Sequence, residues 1–193
     1  MNSELVKTSK FLSYVLRHAP EAIGLHLDPQ GWANVQDLIE CAAQHGTRLS
    51  HELILATIAQ NDKQRFTWND AKTHIRANQG HSISVDLQLL PQAPPDTLYH
   101  GTAQRFITSI QAQGLIAGSR QHVHLSQTSD TAIKVGQRHG KPVVLKIKAQ
   151  SMYESGHEFF CSKNGVWLTE AVPTDYISFP SLESESHTHR VAP

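Results

Sequence analysis

The amino-acid sequence predicts an α+β fold in two domains. Before residue 60 apolar residues recur at helical spacing, whereas after residue 97 they occur mainly in short runs typical of strands. Between these regions lies Pro91-Gln-Ala-Pro-Pro95, whose three prolines favour an extended, semi-rigid connector. The expected divisions are a first domain at 1–90, a linker at 91–96, a second domain at 97–180 and a disordered tail at 181–193.

Three helices are predicted in the first domain. Residues 3–18 carry an apolar stripe, and Pro20 stops the pattern. Asn34 is placed to cap a second helix that ends at Gly46, and Ser50 to cap a third. The apolar side chains expected on the buried face of the third helix are Leu53, Ile54 and Ile58.

A β-hairpin is predicted after the third helix. Residues 65–68 and 73–76 have the composition of strands, and the turn-forming pair Asn69-Asp70 separates them. Three helices followed by a hairpin is the order of a winged helix-turn-helix module. The first domain is therefore expected to be winged-helix-like.

The second domain is predicted to mix strands with helices. The expected strands are 98–100, 123–125, 142–149, 158–162 and 166–169, and the expected helices are 103–113 and 128–138. The first of these helices should turn Phe106, Ile107 and Ile110 inward. Asn164-Gly165 predicts a hairpin with a type I′ turn.

Composition restricts the possible functions. Lys plus Arg equals Asp plus Glu at 17 each, so the chain has no overall basic field and any anion site must be local. Cys41 and Cys161 form no Cys-x-x-Cys motif, which favours a reducing compartment without disulfides. The N-terminus lacks an apolar signal core, and no segment is long enough to span a membrane. We therefore expect a soluble, cytoplasmic protein that is a monomer.

Four short segments concentrate cations and hydrogen-bonding groups. They are Leu16-Arg17-His18, Arg76-Ala-Asn-Gln-Gly-His-Ser82, Leu98-Tyr-His-Gly-Thr102 and His122-Val-His-Leu-Ser126. Guanidinium and imidazole groups bind phosphate, and glycine lets the backbone approach a ligand closely. The segment 99–102 is expected to end a strand and open a helix, a turn that would leave N–H groups free for an anion. Together the segments predict a phosphate site divided between the two domains.

In this order the segments resemble the RNA 2′-phosphotransferase family. The motifs that carry the resemblance are Leu-Arg-His at 16–18, Arg-x-x-Gln-Gly-His-Ser at 76–82, Tyr-His-Gly-Thr at 99–102, His-Val-His-Leu-Ser at 122–126 and Asn-Gly-Val-Trp-Leu at 164–168. The resemblance extends from about Ser9 to Phe179. It implies a winged-helix domain followed by an ADP-ribosyltransferase-like domain, with the active site between them.

The resemblance also implies a two-step reaction that consumes NAD. An internal RNA 2′-phosphate attacks C1″ of the nicotinamide ribose and expels nicotinamide. The ribose 2″-hydroxyl then attacks that phosphate, which releases RNA with a 2′-hydroxyl and ADP-ribose 1″,2″-cyclic phosphate. The implied partners are NAD and a 2′-phosphorylated RNA, either tRNA-like or a short oligonucleotide, as in tRNA splicing.

The family's site residues map onto this sequence in groups. The implied catalytic tetrad is Arg17, His18, Arg65 and Arg120. The residues implied to line the NAD cleft are His100, Gly101, Thr102, His124 and Ser126. Our candidates for docking RNA phosphates are Arg76, Gln79 and His81. In this assignment the three tetrad arginines hold the transferred phosphate, and His18 contacts it or handles the proton of the ribose hydroxyl.

Other functions fit parts of the sequence. An ADP-ribosyltransferase that caps phosphorylated RNA or DNA ends would use the same NAD cleft and stop after the first step. A catalytically inactive winged-helix protein that binds nucleic acid is disfavoured by the neutral net charge and the retained Arg and His residues. His122 and His124 share one face of a predicted strand, but no Asp, Glu or Cys nearby completes a set of metal ligands, so no metal is expected.

Overall fold

A computed structural model describes residues 3–60 and 63–180 of the chain. Those residues form α-helices and small antiparallel sheets, which confirms the predicted α+β class. Two separate clusters of buried apolar side chains hold them together, one drawn from residues 12–77 and the other from residues 98–177. The tail predicted at 181–193 lies outside the described residues.

The elements around the first cluster are helices and one small sheet. In chain order they are α1 (Ser3–Arg17), β1 (Ala33–Asn34), α2 (Val35–Gln44), α3 (His51–Ala59), β2 (Phe66–Trp68) and β3 (His74–Ala77). The strand order is β1-β3-β2, with both pairs antiparallel. The hairpin β2–β3 was predicted, whereas the two-residue strand β1 was not, because it is defined only by its pairing with β3.

Side-chain caps start the second and third helices where the sequence predicts. Asn34 Oδ1 accepts hydrogen bonds from the N–H groups of Gln36 and Asp37 at 2.8 and 3.3 Å, and Ser50 Oγ accepts one from Leu53 at 3.1 Å. On α3, Ile54 is buried as expected, whereas Leu53 and Ile58 are only half-buried. Thr57 joins the buried face, and its hydroxyl donates to the Leu53 carbonyl at 2.7 Å.

The elements around the second cluster are more numerous. They are β4 (Thr97–Ala103), α4 (Ile107–Gln113), β5 (Leu115–Ile116), β6 (Val123–Leu125), α5 (Ser129–Gly136), β7 (Pro142–Lys148), α6 (Ala149–Glu154), β8 (Phe160–Cys161), β9 (Trp167–Thr169), β10 (Ala171–Val172) and β11 (Ile177–Ser178). The sheets are β11-β7-β4, β6-β9-β8 and β10-β5. Tyr99 and Ser126 exchange backbone hydrogen bonds at 2.9 and 2.8 Å, which joins β4 to the end of β6.

The passage from strand to helix comes later than the predicted Tyr99–Thr102: it follows Ala103, where a 3₁₀ turn at Gln104–Phe106 leads into α4. β4 continues to Ala103 because β7 pairs with it along its whole length, with Gly101 opposite Val144. Gly101 is therefore in mid-strand. Its missing side chain leaves room for α5, since a Cβ at this position would lie 1.7 Å from the Ala132 carbonyl oxygen.

Two other local predictions are also wrong. Phe106 is 40% exposed, because a 3₁₀ turn at Gln104–Phe106 precedes α4 and breaks the helical phase assumed for it. Ile107 and Ile110 are buried as expected. The hairpin at Asn164-Gly165 is not a two-residue type I′ turn, which requires positive φ at both central residues. Only Gly165 has it (φ 74°), and the N–H of Ser162 donates to the Val166 carbonyl around a three-residue loop.

Candidate active site

Three arginines from distant parts of the chain lie near one another. Arg17 ends α1, Arg65 directly precedes β2, and Arg120 closes a turn in which Gly118 has φ 64°. The N–H of Arg120 donates to the Ala117 carbonyl at 3.2 Å, which holds that turn. The pKa of Arg17 falls to about 10, first because of burial and then because of the positive charges of Arg65 and Arg120.

The guanidinium of Arg17 is fixed from several sides. Its Nη2 donates to the Arg65 carbonyl at 3.5 Å, and its Cζ lies 5.9 Å from the centre of the Phe66 ring. Gly80 lies beside it, since a Cβ there would make an ordinary van der Waals contact with Arg17 Nη1, at 3.6 Å. Among the described residues, the buried Nε of Arg17 has no hydrogen-bond partner. The guanidinium of Arg17 is thus oriented towards the Arg65 carbonyl, and its Nε–H is left to donate to a ligand.

His18 follows Arg17 and contacts the segment 76–82. Its Nδ1 lies 2.9 Å from the Ser82 hydroxyl, while the Ser82 N–H donates to the Arg17 carbonyl at 2.9 Å. The pKa of His18 is lowered by loss of hydration and then by the positive charges of Arg17 and Arg120. The imidazole is therefore neutral near pH 7 and able to accept a proton.

Arg76 and His81 occupy more enclosed positions than the sequence suggested. Arg76 in β3 places its Cζ 4.6 Å from the centre of the Trp32 ring and donates to the Gln30 carbonyl at 3.3 Å. His81 is 2% exposed, and neither ring nitrogen has a hydrogen-bond partner in the part of the chain that the structure describes. Burial, followed by nearby cations, lowers the pKa of His81 to about 4. Gln79 is half-buried between them, and docking of RNA phosphates by these residues stays a prediction.

The residues expected to contact NAD lie on β4 and beside β6. His100 Nδ1 donates to the His124 carbonyl at 3.1 Å, which fixes the orientation of its ring. Along an antiparallel strand the backbone N–H and C=O groups of successive residues point to alternate sides. The N–H and C=O of Gly101 therefore point in the same direction as those of Tyr99, away from β7. Thr102 is buried and Ser126 half-buried.

His124 links this region to the arginines. Its Nδ1 lies 3.5 Å from Arg120 Nη1, and its buried Nε2 has no hydrogen-bond partner within residues 3–60 and 63–180. The pKa of His124 falls to about 3, mainly because of burial and then because of the charge of Arg120. Gly80, His81, His122 and His124 are among the residues that line a small cleft. Within residues 3–60 and 63–180, no group of three or more His, Cys, Asp or Glu side chains could hold a metal ion.

The cleft lies at a seam between the two halves of the chain. Gln121 donates from its N–H to the His81 carbonyl at 3.2 Å and from its side chain to the Val85 carbonyl at 3.1 Å. Asn164 Nδ2 donates to the Lys63 carbonyl at 2.9 Å. The structure thus brings together the segments at 16–18, 76–82 and 122–126, with Arg120 beside the last of them. Among the described helices, none is long and apolar enough to cross a membrane.

Three further cations near the arginines were missed by the sequence analysis. The positive charge of Arg138 lowers the pKa values of Arg65, Arg120 and Lys63, after burial as the first cause. Lys134 acts on Lys63 in the same way. The available signal was the four-residue spacing of Lys134 and Arg138 within the helix predicted at 128–138. In the structure Lys134 lies in α5 and Arg138 in the 3₁₀ turn that follows it.

Comparisons with known proteins identify the family of this chain. Residues 3–171 match the model of the RNA 2′-phosphotransferase, Tpt1 / KptA family. A probable RNA 2′-phosphotransferase of Acaryochloris marina is 56% identical over 176 residues, which cover 91% of this chain and 97% of the relative. A protein of the same description from Flavobacterium johnsoniae is 53% identical over 94% of this chain and 100% of its own length. The chain therefore belongs to the RNA 2′-phosphotransferase family.

Proposed function

We propose that this protein removes an internal RNA 2′-phosphate in an NAD-dependent, two-step reaction. The observation that carries the proposal is the convergence of Arg17, Arg65 and Arg120 at the seam. Among the described residues, the charged groups that lower the pKa values of these three residues are other arginines. A phosphate, with about 1.5 to 2 negative charges near pH 7, would relieve this repulsion and accept their hydrogen bonds.

In the first step the arginines orient the RNA 2′-phosphate as a nucleophile. A phosphate oxygen bonds to C1″ of the nicotinamide ribose, and the bond from C1″ to the nicotinamide nitrogen breaks. The phosphate is already ionised near pH 7, so this step needs no general base. Alignment of the reacting atoms can supply several kcal/mol of barrier reduction, of the ~7–11 kcal/mol reached in well-oriented systems.

In the second step the ribose 2″-hydroxyl attacks phosphorus, and the bond from phosphorus to the RNA 2′-oxygen breaks. His18 in its neutral form accepts the hydroxyl proton, and the departing 2′-oxygen takes up a proton. Negative charge concentrates on the phosphoryl oxygens at this stage, where fixed guanidinium groups stabilise it more than in the ground state. Ser82 holds the His18 ring through its Nδ1.

The second half of the chain contributes groups at the seam that suit NAD. Gly101 presents a backbone donor and acceptor away from β7, a pair suited to the nicotinamide amide. The His124 carbonyl holds the ring of His100, and the buried Nε2 of His124 has no hydrogen-bond partner among the described residues. Thr102 and Ser126 complete the set of residues proposed to line the NAD cleft. NAD supplies the electrophilic ribose carbon when bound.

The same proposal extends to architecture and setting. The α1–β3 region is proposed to be a winged-helix domain ending at residue 90. The region from residue 97 is proposed to be an ADP-ribosyltransferase-like domain, joined by the linker at 91–96. We also propose a cytoplasmic monomer that uses no metal and acts on 2′-phosphorylated RNA, in keeping with a role in tRNA splicing. Three helices before a hairpin, and the packing of α5 on β4, support this assignment.

Incubation with a short 2′-phosphorylated RNA, with and without NAD, tests the proposal. Chromatography should show NAD-dependent loss of the 2′-phosphate and release of nicotinamide. Accumulation of RNA joined through phosphate to ADP-ribose would favour the end-capping class of transferase instead. RNA binding by folded protein without any reaction would contradict the enzymatic proposal and favour a nucleic-acid-binding module.

A further inference from the structure

We propose that Asn164 is a positioning residue for Arg65, holding the backbone before β2 from across the seam. The inference rests on the proposed function, in which Arg65 binds the transferred phosphate. Asn164 lies in the loop between β8 and β9, and Arg65 belongs to the other half of the chain. The hydrogen bond from Asn164 Nδ2 to the Lys63 carbonyl, at 2.9 Å, joins them.

Hydrogen bonds to three successive carbonyl groups hold the segment that carries Arg65. The Lys63 carbonyl accepts from Asn164, the Gln64 carbonyl accepts from the side-chain amide of Asn78, and the Arg65 carbonyl accepts from the Asn78 N–H at 2.9 Å. Gln64 has φ 41°, a conformation that residues other than glycine rarely adopt without support. Of these three bonds, only the one to Lys63 comes from the second half. It therefore joins the segment to the second half of the chain, which carries Arg120.

The amide of Asn164 is itself oriented before it reaches Lys63. The Ser162 hydroxyl accepts from the Val166 N–H at 3.1 Å, and its one hydrogen has two acceptors within reach, Asn164 Oδ1 at 2.8 Å and the Val166 carbonyl at 2.9 Å. A carbonyl oxygen can only accept, so Nδ2 is the atom that faces the Lys63 carbonyl. The three-residue loop between Ser162 and Val166 therefore fixes the direction in which the Asn164 side chain donates.

The position of Arg65 relative to Arg120 matters because both must meet one phosphate. Arg17 and Arg65 share the first half, where Arg17 Nη2 contacts the Arg65 carbonyl. Arg120 comes from the second half, so the arginine site is complete only when the two halves are held in register. Misplacement by about 1 Å can cost on the order of 10²-fold in rate.

A matched pair of variants separates this role from general stability. Asn164→Ala and Thr169→Val each remove one side-chain donor that lies 2.9 Å from a carbonyl oxygen. Thr169 donates to the Glu158 carbonyl within the second half, whereas Asn164 donates across the seam. Trypsin cleaves after Lys63 and Arg65, so digestion of native protein reports directly on how firmly this segment is held.

Asn164→Ala should accelerate cleavage at Lys63 and Arg65 several-fold, and Thr169→Val should not. In steady-state assays Asn164→Ala should lower kcat on the order of 10-fold with little change in the KM for NAD. Thr169→Val should keep kcat even where its Tm is lower. Unchanged cleavage in Asn164→Ala, or an equal loss of kcat in both variants, would overturn the proposal.

Digestion with trypsin requires no NAD, so it tests the contact of Asn164 with the segment before β2 independently of the proposed function. If the wild-type protein shows no NAD-dependent turnover but Asn164→Ala exposes the segment, the proposed function fails and the seam contact stands. Binding of 2′-phosphorylated RNA then replaces kcat as the second readout. Affinity weakened on the order of 10-fold by Asn164→Ala alone supports positioning of Arg65, and equal affinity in all three proteins refutes it.

Discussion

Replacing Gly101 by Ala is expected to separate α5 from β4. A Cβ at Gly101 would lie 1.7 Å from the Ala132 carbonyl oxygen and 2.6 Å from the carbonyl carbon. To restore a distance of 3.0 Å to the oxygen, one of the two elements must move by at least 1.3 Å. The obstacle is backbone, so no side-chain rotation can relieve the clash.

The cost follows from the packing of α5 on β4. Gly136 of α5 also approaches this strand, since a Cβ there would lie 2.5 Å from the Thr102 carbonyl oxygen. A shift of α5 therefore disrupts the contact at both glycines. Overpacking of this kind costs about 3 kcal/mol, at the upper end of the usual range. For a chain of this size that corresponds to a Tm lowered by roughly 6–12 °C.

Thermal unfolding followed by circular dichroism measures the effect, with Gly156→Ala as the control. Gly156 has φ 92° and nothing within 4 Å of a Cβ, so that variant should lose only about 1–2 kcal/mol from its backbone conformation. A Tm for Gly101→Ala at or above that of Gly156→Ala would refute the reasoning. Such a result would leave Gly101 a role in ligand binding alone.

Other predictions concern charge and protonation. Arg65→Ala and Arg120→Ala should each lower single-turnover dephosphorylation on the order of 10²- to 10³-fold or more without altering the circular dichroism spectrum, and an active variant of either would contradict the tetrad assignment. His18→Ala should slow turnover strongly; in the wild type the rate should fall with acidification only below pH 6.5, because the pKa of His18 is lowered. The pKa of His81 is about 4 in the folded protein against an ordinary 6.5, so the unfolded chain binds more protons and stability should fall as pH drops from about 6.5 towards 4. Urea unfolding should show this loss in the wild type and a weaker loss in His81→Gln; equal pH dependence would contradict the burial of a neutral His81.

Local chemistry made the helices of the first half predictable. Asn34 and Ser50 cap helices through their own side chains and the next two or three N–H groups, so neighbouring residues suffice to place them. The hairpin β2–β3 was similarly marked by Asn69, whose Oδ1 accepts from the N–H groups of Thr73 and His74 at 2.8 and 3.0 Å.

Distant pairing decided the features that the sequence did not predict. Gly101 looked like a turn residue, but β7 extends the strand past it and α5 uses its missing side chain. The motifs predicted a phosphate site divided between two halves, and the structure brings the segments of Arg17 and Arg120 together. The contact between Asn164 and Lys63 joins residues 101 positions apart, which no local pattern can indicate. The added positive charge of Arg138 depends on the same tertiary arrangement.

The fate of the phosphorus atom tests the central claim most directly. RNA carrying a radiolabelled 2′-phosphate is incubated with the protein and NAD, and the labelled products are separated by chromatography. The proposed mechanism predicts that the label leaves RNA and appears in ADP-ribose 1″,2″-cyclic phosphate in amounts equal to the nicotinamide released. Label recovered as inorganic phosphate, or released equally without NAD, would contradict it.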